Sequence, residues 1–244
     1  MKRVVVWFVA ASLLVALSSA QAALKVDFGN QTSPVQDGFE QFGGVNANAV
    51  DLYTPRVYNA FATTVTVSLS WDPPLAPPNW SAMRVLDRAQ GANMDAMQDL
   101  LRDWIGTDGR QHGDPMSITI SGLPAGEYPW LSYHHDADNQ TGEFDVVIAD
   151  ASGVRTFTGI QITDRVNDGI TTLADASKFA TMITSDGSSP IVLTFTNPVG
   201  RSQTGVAPAA NVEFFVINGF EVVPEPATIA LLGLGALALR RRRS

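Results

Sequence analysis

The sequence contains no cysteine. This absence excludes disulfide bonds, thiolate zinc sites, a cysteine nucleophile and a lipid-modified N-terminal cysteine. The folded protein therefore depends on its hydrophobic core alone.

Basic residues are scarce between the two ends of the chain. Six of the 16 lysines and arginines lie at the ends of the chain, namely Lys2, Arg3 and Arg240 to Arg243. Of the 24 acidic residues, only Glu225 lies there. Residues 23–223 consequently carry a formal net charge of −13. Nucleic-acid binding requires clustered positive charge, so this composition excludes it and favours solubility and cation binding.

Common catalytic motifs are also missing. The chain has no Gly-x-Ser-x-Gly elbow, no glycine-rich phosphate loop and no His-Glu-x-x-His sequence. We therefore assign no catalytic residue. A polysaccharide hydrolase that uses Asp136 or Asp138 stays open as an alternative, because the fold sets the separation of a carboxylate pair.

The N-terminal residues have the pattern of a secretory signal peptide. Lys2 and Arg3 precede an uncharged stretch from Val4 to Leu17, and Ala20-Gln21-Ala22 supplies the small residues that signal peptidase requires. The apolar run is shorter than the roughly 20 residues of a spanning helix, which argues against a retained membrane helix. Residues 1–22 are predicted to form a signal helix that signal peptidase removes.

The C-terminal residues combine three features in a fixed order. A Pro-Glu-Pro sequence comes first, an apolar run follows from Ala227 to Leu239, and a basic cluster closes the chain before Ser244. This order closely resembles the PEP-CTERM sorting signal. The resemblance implies recognition by an exosortase, cleavage near the Pro-Glu-Pro and a bacterium that makes extracellular polysaccharide. The sorting motif consists of Pro224, Glu225, Pro226, Arg240, Arg241, Arg242 and Arg243.

The arginines also predict an orientation. Arginines after an apolar helix stay on the cytoplasmic side, so residues 23–223 are expected across the membrane. The apolar run forms a helix of only about 20 Å, shorter than the roughly 30 Å hydrocarbon core. We expect a transmembrane sorting helix in residues 224–244 that holds the protein transiently in the inner membrane before it reaches the cell surface or the extracellular space. A plain tail anchor is the alternative, but it does not account for the Pro-Glu-Pro.

Residues 23–223 are predicted to form one all-β domain. Alternating apolar and polar residues, bounded by Gly, Pro, Asn and Asp, indicate half-buried strands. From Thr64 to Trp71 the alternation is unbroken, so one face belongs to the core and the other is solvated or covers a binding surface. Strands are predicted at Lys25 to Phe28, Val57 to Phe61, Thr64 to Trp71, Met116 to Ser121, Glu127 to His134, Phe144 to Ile148, Arg155 to Ile160, Ile191 to Thr196 and Val212 to Ile217.

One segment departs from this alternation. Asn93 is a suitable helix cap, and Gly106 is a suitable residue just beyond a helix end. Between them, apolar residues at spacings of three and four predict a short amphipathic helix with Met94, Met97, Leu101 and Trp104 on one face. Together with the strands, this helix indicates a jelly-roll-like β-sandwich.

Three short segments carry a second resemblance. Gly122 to Tyr128, Leu131 to Asp136 and Glu143 to Val146 resemble the middle of galactose-binding-like and malectin-like carbohydrate-binding sandwiches. The resemblance implies a β-sandwich that binds polysaccharide, and it assigns no ligand residue.

The adjacent residues His134 and His135 lie in a predicted strand. Neighbouring side chains on a strand point to opposite faces, so the two rings cannot hold one metal ion without a bulge. We predict hydrogen bonds or sugar contacts at a strand end for these histidines instead of a zinc site.

The acidic segment that follows offers oxygen ligands. Asp136, Asp138 and Asn139, with Asp27 on the first strand, are residue types that calcium prefers. An EF-hand does not fit, because Val147 stands where a bidentate glutamate is needed. A structural calcium site and a solvated acidic turn both stay open.

Trp71 and Trp80 flank a loop that contains four prolines. In one interpretation their rings are platforms for sugar stacking, and Asp72 and Asn79 bond to sugar hydroxyls. In the other, both rings are packing anchors at the end of the sandwich.

These observations leave three functions open. The first is an exported surface or matrix protein that binds polysaccharide without catalysis. The second is a structural matrix component with no specific ligand, and the third is the polysaccharide hydrolase.

Overall fold

A computed structural model describes residues 22–30, 32–44, 52–71, 83–87, 97–109, 115–139, 141–196 and 213–224. The predicted signal peptide up to Gln21, the sorting tail beyond Pro224 and the proline-rich loop with Asp72, Asn79 and Trp80 lie outside these residues.

The described residues form fourteen strands, which confirms the all-β prediction. The strands are β1 (Leu24–Asn30), β2 (Glu40–Gly44), β3 (Arg56–Ala60), β4 (Thr63–Trp71), β5 (Met83–Asp87), β6 (Asp103–Gly109), β7 (Met116–Ser121), β8 (Gly126–Asp136), β9 (Gly142–Asp150), β10 (Gly153–Asp164), β11 (Ser177–Ser185), β12 (Ile191–Thr196), β13 (Glu213–Ile217) and β14 (Gly219–Val222).

The main strands form the two layers of a β-sandwich. One layer has five strands in the order β2-β1-β14-β8-β11, and the other has six in the order β3-β4-β7-β12-β9-β10. The layers join at one corner, where β8 and β10 pair in parallel through Thr163 with His135 and Asp164 with Asp136. The remaining strands form a small sheet in the order β13-β6-β5.

The core follows from the alternation along each strand. β4 buries Val65, Val67 and Leu69, and the residues between them are at least partly exposed. On the facing layer, the Trp130 ring stacks on Phe220 with 4.6 Å between ring centroids. Fully buried aromatic side chains of this size each contribute several kcal/mol, about 3 to 5 on truncation to alanine.

The predicted amphipathic helix is wrong in the described part of the chain. Asp99–Leu101 forms a single 3-10 turn, and the strand β6 follows at Asp103. Met97, Leu101 and Trp104 are all buried, so a turn and a strand satisfy the same apolar pattern without a helix. Asn93 and Met94 lie outside the described residues.

The two ends of the domain lie next to each other. β1 and β14 are antiparallel neighbours, and Leu24 pairs with Val222. Beyond β14, the Val223 N–H donates a hydrogen bond to the Pro129 carbonyl oxygen at 3.1 Å. The strand that leads into the sorting tail is therefore held between β1 and β8 up to its last residue.

Within the ranges given above, no helix is long and apolar enough to cross a membrane.

Candidate functional site

The outer face of the six-stranded layer carries short, uncharged side chains. Because side chains alternate along a strand, burying Val67 and Leu69 turns Ser68 and Ser70 outward on β4. The same alternation turns Ser117 and Thr119 outward on β7, and Thr194 outward on β12.

Strand register aligns these residues into two rows across five strands. The first row consists of Val154, Ala149, Val192, Thr119 and Ser68. The second row consists of Thr156, Val147, Thr194, Ser117 and Ser70. We call these ten residues the uncharged face. With neighbouring strands about 4.8 Å apart, each row is about 19 Å long.

Hydroxyl groups give the uncharged face its chemistry. Ser117 Oγ and Thr194 Oγ1 lie 2.8 Å apart and share a hydrogen bond across the strands. A hydroxyl both donates and accepts, so the same groups can bond to any hydroxylated partner. Threonine in a strand has a restricted χ1 angle, which keeps the hydroxyls of Thr119, Thr156 and Thr194 in place before binding.

The carboxylates on the same side of β9 as the uncharged face, those of Asp145 and Glu143, lie beyond the second row. Asp145 pairs with Thr196, and its Oδ1 accepts a hydrogen bond from the Gly159 N–H at 3.0 Å. Glu143 Oε1 accepts a hydrogen bond from Gln161 Nε2 at 2.7 Å. Both carboxylates are thus already hydrogen-bonded at the border of the uncharged face.

His134 belongs to a buried hydrogen-bonded chain. Its Nδ1 lies 2.7 Å from the Val216 carbonyl oxygen, so Nδ1 carries the proton and donates. Nε2 then accepts from Ser132 Oγ at 2.9 Å, and Ser132 Oγ accepts from Trp130 Nε1 at 3.2 Å. Burial lowers the pKa of His134 to about 4, so the ring is neutral at physiological pH.

His135 is buried next to Asn218, which ties β8 to β6. Asn218 Oδ1 accepts the His135 N–H at 2.7 Å, and Asn218 Nδ2 donates to the carbonyl oxygens of His135 and Asp103 at 2.9 and 2.7 Å. Burial lowers the pKa of His135 to about 4. The sequence predicted hydrogen bonds or sugar contacts for His134 and His135, and the structure places both rings in the interior, where each forms hydrogen bonds.

Trp71 is also part of the core. Only 3% of its surface is exposed, and its ring contacts Tyr53 edge-on with 5.5 Å between centroids. The packing-anchor interpretation therefore describes Trp71, and it does not form an exposed sugar platform. The roles predicted for Asp72, Asn79 and Trp80 fall on residues outside the described ranges.

The four predicted calcium ligands have separate surroundings. Asp27 Oδ2 accepts the Gln36 N–H at 2.7 Å, whereas Asp136 Oδ1 accepts Trp104 Nε1 at 3.0 Å. The backbone oxygens of Asp138 and Asn139 accept hydrogen bonds from the turn after β10, the first from the Val166 N–H and the second from Asn167 Nδ2. No three His, Cys, Asp or Glu side chains among the described residues are grouped as a metal site requires. Asp27, Asp136 and Asp138 therefore do not form one ligand set, and calcium binding stays a prediction.

Sequence reasoning found part of the uncharged face. The unbroken alternation from Thr64 to Trp71 indicated an outward face on β4. The rows themselves depend on strand order and register, which the sequence does not show.

Comparison with the sequences of curated proteins finds no match. Among solved structures, the chain is similar to an exo-β-1,3-galactanase from Phanerochaete chrysosporium with bound β-1,3-galactotriose, at 12% identity and a TM-score of 0.32, over 58% of this chain and 26% of that one. It is similar to TmCBM61 in complex with β-1,4-galactotriose at 16% identity and a TM-score of 0.32, over 65% of this chain and 88% of that one. A family 35 carbohydrate-binding module from Clostridium thermocellum is similar at 6% identity and a TM-score of 0.31, over 69% and 97% of the two chains. The chain thus spans about a quarter of the galactanase, and these likenesses are too remote to carry an argument.

The sorting signal has a direct match. Residues 222–244 match the PEP-CTERM protein-sorting motif. The motif predicted from Pro224, Glu225, Pro226 and the terminal arginines is therefore confirmed, and this chain carries the C-terminal sorting motif of an exported protein that an exosortase processes.

Proposed function

We propose that this exported protein binds a neutral extracellular polysaccharide on the uncharged face, without catalysis, at the cell surface or in the extracellular matrix. The carrying observation is the pair of five-residue rows across β10, β9, β12, β7 and β4, which contain no charged side chain. The sorting motif supports the extracellular location.

The chemistry of the face favours a neutral polymer. Sugar hydroxyls and the hydroxyls of Ser68, Ser117, Thr119 and Thr194 can each donate and accept, so they are complementary without burying a charge. Methyl groups of valine, alanine and threonine lie between these hydroxyls and provide apolar contact for the C–H faces of sugar rings. The strongly acidic domain repels anionic polymers, which makes a neutral polymer the better partner.

Asp136, one of the two carboxylates suggested for hydrolysis, supports a non-catalytic role. Asp136 is fully buried, and its Oδ1 accepts the Trp104 indole N–H. A general acid has to reach the glycosidic oxygen of its substrate, and a buried carboxylate in this position does not.

Binding to isolated extracellular polysaccharide and to an array of neutral glycans tests the proposal. The variant Ser117→Ala/Thr119→Val/Thr194→Val removes three hydroxyls while keeping side-chain shape. Each lost hydrogen bond is worth about 1 kcal/mol, so affinity is expected to fall about a hundredfold. Both partners of the Ser117–Thr194 bond are removed together, so the melting temperature is expected to change little.

Thr63→Val is the matched control. Thr63 lies on β4 but outside the uncharged face, and its side chain is exposed. Equal affinity of the triple variant and wild type would contradict the proposal. Absence of binding by the wild type would favour the structural matrix component, and release of reducing sugar ends would favour the hydrolase.

A further inference from the structure

A shallow apolar groove lies on the outer face of the five-stranded layer, opposite the uncharged face. Its volume is about 490 Å³, and its apolar lining includes Pro129, Leu131, Ala180, Met182 and Val223. Met182 and Val223 are 39% and 36% exposed, so the groove presents apolar surface to solvent. The groove lies where β11, β8 and the end of β14 meet.

The carboxylate at the border of the groove, that of Glu221, has two partners. Glu221 Oε2 lies 2.7 Å from Lys25 Nζ, and Glu221 Oε1 accepts a hydrogen bond from the Tyr133 hydroxyl at 2.7 Å. Burial, together with Glu221, raises the pKa of Tyr133. The groove therefore presents an apolar floor beside a neutralised carboxylate, a combination that fits an uncharged apolar partner.

The groove is tethered closely to the sorting tail. The Val223 N–H bonds to the Pro129 oxygen, so the chain is fixed at the groove edge. Only Pro224, Glu225 and Pro226 separate Val223 from Ala227, the first residue of the uncharged apolar run. This distance is at most about 14 Å, whereas the headgroup layer on each side of a bilayer is about 5 to 8 Å thick.

We propose that the groove rests on the membrane interface while the sorting tail is in the bilayer, with Met182 and Val223 inserted at the boundary between headgroups and acyl chains. The contact depends on the tether, because a patch of this size binds weakly unless the tail supplies a high effective concentration. Removal of the tail then releases the domain and frees the groove. This inference depends on the apolar run entering the membrane and is independent of glycan binding.

Site-specific labelling tests the contact, since the chain has no cysteine of its own. Full-length protein with Met182→Cys, and separately with Ala180→Cys, is labelled with an environment-sensitive fluorophore and incorporated into phosphatidylcholine vesicles. Both positions are expected to shift to the blue and to lose at least half their emission to a lipid-bound quencher placed near the headgroups. Val154→Cys, which is 74% exposed on the opposite layer, is expected to show neither change.

Two labelling results would overturn the proposal. One is emission at positions 180 and 182 that matches position 154 in protein that floats with the vesicles. The other is shielding from a water-soluble quencher without any lipid quenching, which would indicate a second copy of the chain in the groove. Protein that does not associate with vesicles would remove the premise and the proposal together. Melting of each labelled variant verifies that the domain is folded.

Discussion

Asp27 places a carboxyl group in the interior, where its charge is costly. Burial raises its pKa to about 7, and Asp99 acts in the same direction, against the Gln36 N–H that stabilises the carboxylate. His134 and His135 are affected in the opposite sense, because burial disfavours their charged form and lowers the pKa of each to about 4. These groups make the free energy of unfolding depend on pH.

The variant Asp27→Asn tests this balance. Between about pH 4.5 and 6.5 the folded state keeps a proton on Asp27 that the unfolded chain releases, so Asp27 makes stability fall as pH rises. At these pH values both histidines are protonated in the unfolded chain and neutral in the folded state. Each histidine therefore makes the free energy of unfolding rise with pH. Removing Asp27 is therefore expected to make the free energy of unfolding rise more steeply with pH, by roughly 1 kcal/mol per pH unit.

Urea unfolding at several pH values in this range measures the slope. Asp37→Asn is a matched control, because Asp37 is exposed and the replacement is the same. Equal slopes in wild type and Asp27→Asn would mean that Asp27 is not protonated in the folded protein at these pH values.

At the scale of elements, β14 is the strand on which the five-stranded layer depends. It lies between β1 and β8 and contributes the buried Phe220 and Val222. At Gly219 the neighbouring backbone approaches closely. A Cβ atom there would press on the Val26 carbonyl oxygen and lie 2.7 Å from Leu100 Cδ1.

Gly219→Ala is therefore expected to destabilise the domain by about 1 to 3 kcal/mol through overpacking. Denaturant unfolding measures the change. Gly169→Ala is the comparison, because Gly169 has φ +70° but no atom within 4 Å of an added Cβ, so that variant carries only the backbone cost. A smaller loss at position 219 than at position 169 would contradict the close approach of β1 to β14.

Sequence periodicity found several of the strands whose outer face is polar. β7 and β12 were predicted with the bounds that the structure has, because hydroxyl residues alternate with Ile, Leu and Phe along them. β11 was missed, because Ala180 and Met182 make its outer face apolar and hide the alternation. The apolar pattern before and at the start of β6 predicts a helix, because a turn followed by a strand also buries residues three apart.

The candidate site was harder to predict than the strands. Outward side chains on β4 follow from its own alternation, but the two rows need the pairing of β4 with β7, β12, β9 and β10, which comes from distant parts of the chain. For Trp71 and the two histidines, residue type alone left a ligand surface open beside packing or hydrogen bonding. Burial of these side chains is a property of the assembled sandwich.

At the scale of the whole molecule, acidity and the uncharged face are separate features. Residues 23–223 carry a net charge of −13, yet two rows across one layer carry none. The acidic segment Asp136 to Asn139 lies against the turn after β10, where the Val166 N–H bonds to the Asp138 oxygen at 3.0 Å. Calcium at this end of the molecule is the prediction that stays open.

Calcium bound only by the folded state is expected to raise the melting temperature. At a calcium concentration a hundred times the dissociation constant, the stabilisation is about 2.7 kcal/mol, which corresponds to roughly 5 to 10 °C for a domain of this size. Melting in calcium, in magnesium and in chelator measures the effect, with Asp138→Asn as the variant that should lose it. The same melting temperature in all three solutions would favour the solvated acidic turn.

The antiparallel neighbours β1 and β14 also determine how the domain responds to force. Leu24 and Val222 are paired, so a load that pulls the two ends of the domain apart acts along the hydrogen bonds between these strands and breaks them one at a time. Such a peeling geometry yields at low force. A load applied through a polymer on the uncharged face and resisted at the Val223 end would instead cross both layers of the sandwich, so the response of the domain to force depends on the direction of pulling.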